Sequence, residues 1–250
     1  MRTLSKTLAT ASVAVLGTLG AQAQSIGSAC GCPDVSLRPT INLATLADGS
    51  GNLPVGNTTL NCANLYTMNT KIYVPDGGDL FIEPGTVIKV ADNAGSTADG
   101  LDGNYAVTNR GKWGGLIILG RAFNNVRSTD LRDGGPNPST SITGTDGVGL
   151  IEGLAGGDSR HFYGMPVGQE MNNDNSGVLR HVSLRHGGEL LGTANEINGL
   201  TLGSVGSGTT IEHIEVTSNL DDAFEFFGGT VNAKYLIAMH CDDDYIDYDQ

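Results

Sequence analysis

From residue 70 onward, apolar and polar positions alternate over short runs that end in turn-forming residues. Lys71–Val74, Asp79–Ile82 and Thr86–Val90 are β-branched or aromatic runs separated by Pro75, Gly77, Gly78, Pro84 and Gly85, and Gly115–Leu119 is a further apolar run. This texture predicts strands joined by tight turns rather than helices. Residues 24–69 are low in charge with scattered Pro, Gly and Asn, so an irregular N-terminal cap is expected there. Residues 121–175 are rich in Gly, Asn, Asp and Ser, a stretch too long for an ordinary loop and expected to be a functional or capping excursion.

A repeat emerges between residues 178 and 250. His181-Val-Ser-Leu-Arg185, His213-Ile-Glu-Val-Thr217 and Tyr235-Leu-Ile-Ala-Met239 share one alternation, outward, inward apolar, outward, inward apolar. The last two are offset by 22 residues, and the same offset carries Asp221 onto Asp243, Asp222 onto Asp244, Phe224 onto Ile246 and Glu225 onto Asp247. Val182 and Ile214 are 32 apart, which is one coil plus an insertion of roughly ten residues. Short strands at this period are the mark of a solenoid whose coils bury apolar residues only against their neighbours. The expected fold is therefore all-β, a right-handed parallel β-helix of about 22-residue coils over residues 70–250.

Composition agrees. The chain has 250 residues, of which 37 are Gly and 8 Pro, with 16% charged, values that fit neither a coiled coil nor a helical bundle. Its 14 basic and 27 acidic residues give a net charge of −13, which disfavours nucleic acid or an anionic membrane surface as a partner. Residues 1–23 combine a basic start (Arg2, Lys6), an apolar stretch from Leu8 to Ala21 and an Ala21-Gln-Ala23 cleavage pattern, and are expected to be a secretory signal peptide. Its removal takes away Arg2 and Lys6 and leaves 12 basic against 27 acidic residues, a net −15. No second apolar run reaches the roughly 18 residues that span a bilayer, so the protein is expected to be exported and not membrane-spanning. Cys30, Cys32, Cys62 and Cys241 allow two disulfides in three connectivities in an oxidising compartment. Cys30 and Cys32 are too close to bridge each other easily, and Cys62 is the favoured partner for one of them.

Leu80-Phe-Ile-Glu-Pro-Gly-Thr-Val-Ile-Lys89, Arg110-Gly-Lys-Trp-Gly-Gly-Leu-Ile-Ile-Leu-Gly120, Ser176-Gly-Val-Leu-Arg-His-Val-Ser-Leu-Arg-His-Gly-Gly188 and Asn195-Glu-Ile-Asn-Gly-Leu-Thr-Leu-Gly203 resemble the motifs of a family of secreted bacterial proteins. That family has a pectin-lyase-like β-helix, and leptospiral outer-membrane lipoproteins resemble it too. The resemblance covers most of residues 70–250 and implies a secreted or outer-membrane-associated protein. It says little about activity. Two departures stand out: a Gly/Asp-rich stretch, Asp92 to Asn104, replaces a coil that members carry before the Gly-Lys-Trp-Gly-Gly segment, and members continue past Gln250. The expectation is a β-helix truncated in mid-coil.

The sharpest chemical feature is an acidic ladder, Asn219-Leu-Asp-Asp-Ala-Phe-Glu225 and Cys241-Asp-Asp-Asp-Tyr-Ile-Asp247. Carboxylates stacked one strand apart repel unless one is protonated or a cation lies between them. Asp221, Asp222, Glu225, Asp243, Asp244 and Asp247 are thus candidates for a calcium site, since calcium takes six to eight oxygens from flexible ligands; the plainer alternative is turn-forming Asp and Asn that satisfy backbone donors. Asp222, Asp243 and Asp244 are candidate catalytic residues of a polysaccharide hydrolase or lyase, because their order is similar to that of the carboxylates in polygalacturonase-type hydrolases. The later Gly-His-Gly and Arg-x-Lys elements of those enzymes are absent. Trp113, Arg180 and Arg185 are candidate glycan contacts, against the plainer expectation that the indole covers a coil turn and the arginines are ion-paired. His181 and His213 occupy equivalent coil positions and are expected to stack. The expected function is a secreted or cell-surface β-helix protein with a structural or ligand- or glycan-binding role, calcium as a stabilising ion, and polysaccharide or envelope components as partners. A polysaccharide-active enzyme is the alternative.

Overall fold

The computed structural model describes residues 31–91, 106–127, 131–132, 135–136, 145–192 and 195–249. The expected signal peptide, Cys30 and the stretch 92–104 lie outside the described residues. The N-terminal strands are β1 (Thr40–Asn42), β2 (Gly56–Leu60), β3 (Leu65–Met68), β4 (Gly78–Ile82) and β5 (Val87–Val90). They are followed by β6 (Leu116–Leu119), β7 (Leu131–Arg132), β8 (Gly135–Pro136), β9 (Val148–Leu150) and β10 (Phe162–Gly164). The remaining strands are β11 (Val178–Arg185), β12 (Leu190–Gly192), β13 (Asn195–Glu196), β14 (Leu200–Gly203), β15 (Thr210–Thr217), β16 (Phe224–Phe227), β17 (Asn232–Met239) and β18 (Ile246–Asp249).

The coil strands pair in parallel in four stacks, β1-β3-β5, β2-β4, β11-β15-β17 and β6-β14-β16-β18. Antiparallel pairing is confined to the excursions, β7 with β8, β9 with β10 and β12 with β13. The molecule is a right-handed parallel β-helix. Thr210 pairs with Asn232 and Phe224 with Ile246, the 22-residue step read from the sequence. Val182 pairs with Ile214 across the longer step, and the β12–β13 hairpin lies within the inserted residues.

Two expectations are corrected. Three strands lie within residues 24–69, where an irregular cap was expected, and β2 and β3 pair with β4 and β5 at the same 22-residue step: Gly56 with Gly78, Leu65 with Val87. Polar Gly-Asn-Thr-Thr positions hide this coil from a hydrophobicity pattern, because it is supported by its ladder neighbours as much as by its side chains. Conversely, Lys71–Val74 is not a strand; Tyr73 makes only an isolated parallel bridge with Asn52.

The main core runs down the axis of the coils. Leu200, Leu202, Ile211, Ile214, Val216, Phe224 and Phe226 are buried in it, with Leu116, Ile118, Val182 and Leu236 packed against them. A smaller core forms in the N-terminal coils around Leu43, Leu60 and Tyr66. That end is stapled by the Cys32–Cys62 disulfide and by the buried Arg38, which donates to the carbonyls of Pro33 and Gly85. Among the described residues Cys241 is a free, buried thiol.

The outer face of the β6-β14-β16-β18 sheet is covered in part by the excursion. Val126, Ile151 and Tyr163 of the 121–175 excursion pack with Phe227 against Ile117 and Leu119. The approach is so close that a Cβ added at Gly203 would lie 2.8 Å from the Tyr163 Cβ, so only glycine fits there.

Candidate functional site

Along β16 and β18 side chains alternate between the coil interior and the covered outer face. Phe224 and Phe226 point inward, so Glu225 points outward, in register with Ile117, Thr201 and Asp247 on neighbouring coils. Just before this strand the chain turns at Asn219–Asp222. Asn219 is buried and fixes the turn by donating from its amide to the Asp222 carbonyl at 2.8 Å. The Asp222 carbonyl also accepts from the Gly199 backbone at 2.9 Å, which ties this turn to the preceding coil.

This arrangement gathers the acidic ladder into two overlapping groups. One oxygen each from Asp221, Asp222 and Asp243 lie within 4.8 Å of one another, and so do one each from Asp222, Glu225 and Asp247. Asp222 belongs to both. Asp222 and Glu225 are only 7% and 4% exposed, whereas Asp243 is open to solvent. The groups therefore run from a solvent-facing acidic rim to a buried acidic floor.

Burial dominates the electrostatics. It pushes the Asp222 carboxyl up to about 7, with Asp221 adding to the rise and the Asp244 backbone N–H opposing it through a 2.9 Å hydrogen bond. Glu225 is pushed up to about 9, first by burial and then by the charges of Glu152 and Asp222. Both carboxyls thus hold protons near neutral pH unless a cation replaces them. The Asn198 amide donates to Glu225, while its buried Oδ1 has no hydrogen-bond partner. A buried amide oxygen on a side chain bonded to one of these carboxyls is the kind of neutral ligand that a hard cation takes together with charged ones.

Of the six acidic residues named from the sequence, five are brought together. Asp244 is the exception: its backbone N–H, not its carboxylate, serves the cluster. The missed residue is Asn198, 24 residues before Asp222 rather than 22; pairing of Leu200 with Phe224 places it one coil below that aspartate. The pairing of Glu225 with Asp247 was readable from the 22-residue offset.

The three candidate glycan contacts are held by protein partners. The half-buried Trp113 donates its indole N–H to the Arg185 carbonyl at 2.7 Å. Arg180 pairs with Glu212 at 2.7 Å and Arg185 with Glu215 at 2.8 Å. Trp113 is thus tied to the end of β11, while the arginines lie on the outward face of the β11-β15-β17 sheet.

Among the described residues, no helix is long and apolar enough to cross a membrane. No curated protein and no solved structure matches the chain significantly. Residues 101–250 match the family described as the pectate-lyase-like β-helix domain, which includes both sheets of the main coils and every residue of the acidic cluster. With that match over more than half of its length and the parallel coils in place, the chain belongs to the pectate-lyase-like β-helix domain family.

Proposed function

We propose that this is a secreted or cell-surface β-helix protein with a glycan-binding role, whose acidic ladder holds a stabilising calcium ion. The observation that carries the cation is the sharing of Asp222 between two acidic groups, with the Asn198 Oδ1 unpartnered beside the buried one. A divalent cation would offset the repulsion and desolvation that raise both buried carboxyls, and five carboxylates with one amide supply enough oxygens for it. Export is supported by the leader pattern of residues 1–23, and surface placement by the family likeness. The test is thermal unfolding with calcium and with chelator. Calcium at saturating excess is expected to raise Tm by several degrees, and Asp222→Asn to abolish the difference. Equal Tm in both conditions for the wild-type protein would remove the cation from the account.

A second reading, polysaccharide cleavage, is favoured by one observation: burial brings Asp222 to about 7, a suitable value for a proton donor near neutrality. One oxygen each of Asp222 and Asp243 come within 4.8 Å, so the two carboxyls are close neighbours at the rim. A panel of acidic and neutral polysaccharides, scored for reducing ends and unsaturated products, decides between them. Turnover lost in Asp243→Asn would establish the enzyme.

A further inference from the structure

A second ladder runs along the opposite stack of strands. His181, His213 and Tyr235 stand at the fourth residue of β11, β15 and β17, exposed to solvent. Their rings stack with centroids 4.7 and 4.5 Å apart. Each has a left-handed backbone, with φ of 54, 57 and 56°. Few residues other than glycine take that conformation; Asn, Asp and His are enriched in it, and Tyr235 departs furthest from what it favours. Three successive coils nevertheless carry a ring there. The ring tips make no hydrogen bond to any described residue, in contrast to His186, whose Nδ1 lies 2.7 Å from the Asn109 carbonyl.

An open groove of about 530 Å³ follows the ladder, walled also by Ser183, Glu215 and Ile237. Its flanks are nearly charge-balanced. Arg180 is paired with Glu212 and Arg185 with Glu215, and Lys234 lies opposite Glu212 on the next coil. On a chain of net charge −13 this face is an exception. A polyanion approaching it is repelled by the field of the whole molecule and finds the guanidinium groups engaged. An uncharged, hydroxyl-rich chain instead meets ring edges repeating at the strand spacing, the mixture of apolar body and polar tip that suits a sugar. We propose that the His181–His213–Tyr235 groove binds a neutral polysaccharide chain. This rests on the glycan-binding role proposed above and assigns that role to a face remote from the acidic ladder.

The test is affinity electrophoresis of the whole chain through gels holding soluble glucan, xylan, mannan or polygalacturonate, in chelator. His213→Asn removes the central ring and leaves a residue that tolerates the left-handed backbone. We expect retardation by at least one neutral polymer and retention about tenfold weaker in His213→Asn. Its Tm should equal or exceed that of the wild type, and Asp243→Asn should bind as the wild type does. Neutral-polymer retention unchanged in His213→Asn would overturn the groove while leaving a glycan-binding protein. No retention of folded wild-type protein by any polymer would overturn both. Retention by polygalacturonate alone, fading with salt, would overturn the neutral ligand, and a Tm well below wild type in His213→Asn would make the ladder a structural stack.

Discussion

The same coils build two outward ladders of opposite character. On β16 and β18, Glu225 and Asp247 stand in register, with Glu225 buried and protonated near neutrality. On β11, β15 and β17, His181, His213 and Tyr235 lie in the open, with neighbouring charges paired off. Both ladders arise from one repeat, which stacks equivalent side chains a strand apart whatever their chemistry. Like charges so stacked need a proton or a cation, whereas rings so stacked attract each other. The environment then separates them further, because burial penalises charge and exposure leaves ring tips available.

The strongest way to break the comparison is to remove what the ladders share. Phe224 is 1% exposed in the core between the two sheets, beside Glu225 in sequence and in one cluster with Ile214 under the ring ladder. Phe224→Ala should cost about 3–5 kcal/mol in urea unfolding. If the coils are one cooperative unit, calcium response and polysaccharide retention should weaken at the same denaturant concentration. Loss of calcium response at lower urea than polysaccharide retention would show that the sheets loosen independently.

A smaller effect separates the ladders by pH. Folded Asp222 and Glu225 hold protons up to about 7 and about 9, whereas in the unfolded chain they release them near 3.8 and 4.5. Between those values the folded state binds more protons, so stability in chelator must fall as pH rises from about 4 to about 9. Glu225→Gln should flatten the upper part of that slope and raise stability at pH 9 in chelator. Calcium should counter the loss, with binding that tightens as pH rises because protons must leave the ligands. A wild-type stability that is level across this range in chelator would contradict the buried, protonated floor.

The carboxylate floor was partly legible before the fold was known, and the reason is periodicity. Asp221, Asp222 and Glu225 recur as Asp243, Asp244 and Asp247 at the step that also relates Ile214 to Leu236, so one offset carried both fold and site. Asn198 escaped because the step from coil to coil changes from 22 to 24 residues there. Burial of Glu225 also escaped: the excursion brings Glu152 near it and packs Ile151 and Tyr163 on the same sheet, and no period in the chain encodes that long-range packing. The β2–β3 coil was missed for the opposite reason, since its 22-residue step was present but its apolar alternation was weak. Cys62 was legible as the partner of Cys30 or Cys32 and pairs with Cys32, whereas the burial of Cys241 in the main core was not legible.

The finest probe concerns the flanks of the ring ladder, where charge is balanced by pairing rather than by protonation. The Arg185 side chain is 52% exposed and that of Glu215 26%, at 2.8 Å. Glu215 also accepts from Ser183 and Thr217, each at 3.1 Å, so it anchors three partners from one carboxylate oxygen. Screening by solvent keeps the ion pair weak, and a double-mutant cycle on Arg185→Ala and Glu215→Ala should give a coupling of about 0.2–1 kcal/mol that shrinks in high salt. Removing Arg185 alone should matter less than removing Glu215, because Ser183 and Thr217 still satisfy the carboxylate. Without Glu215, Arg185 stands unpaired at the edge of the groove, so Glu215→Ala should raise retention by polygalacturonate even as stability falls. Unchanged polygalacturonate retention would mean that pairing is not what keeps this face from selecting anions, and that the net charge of the whole chain does so alone.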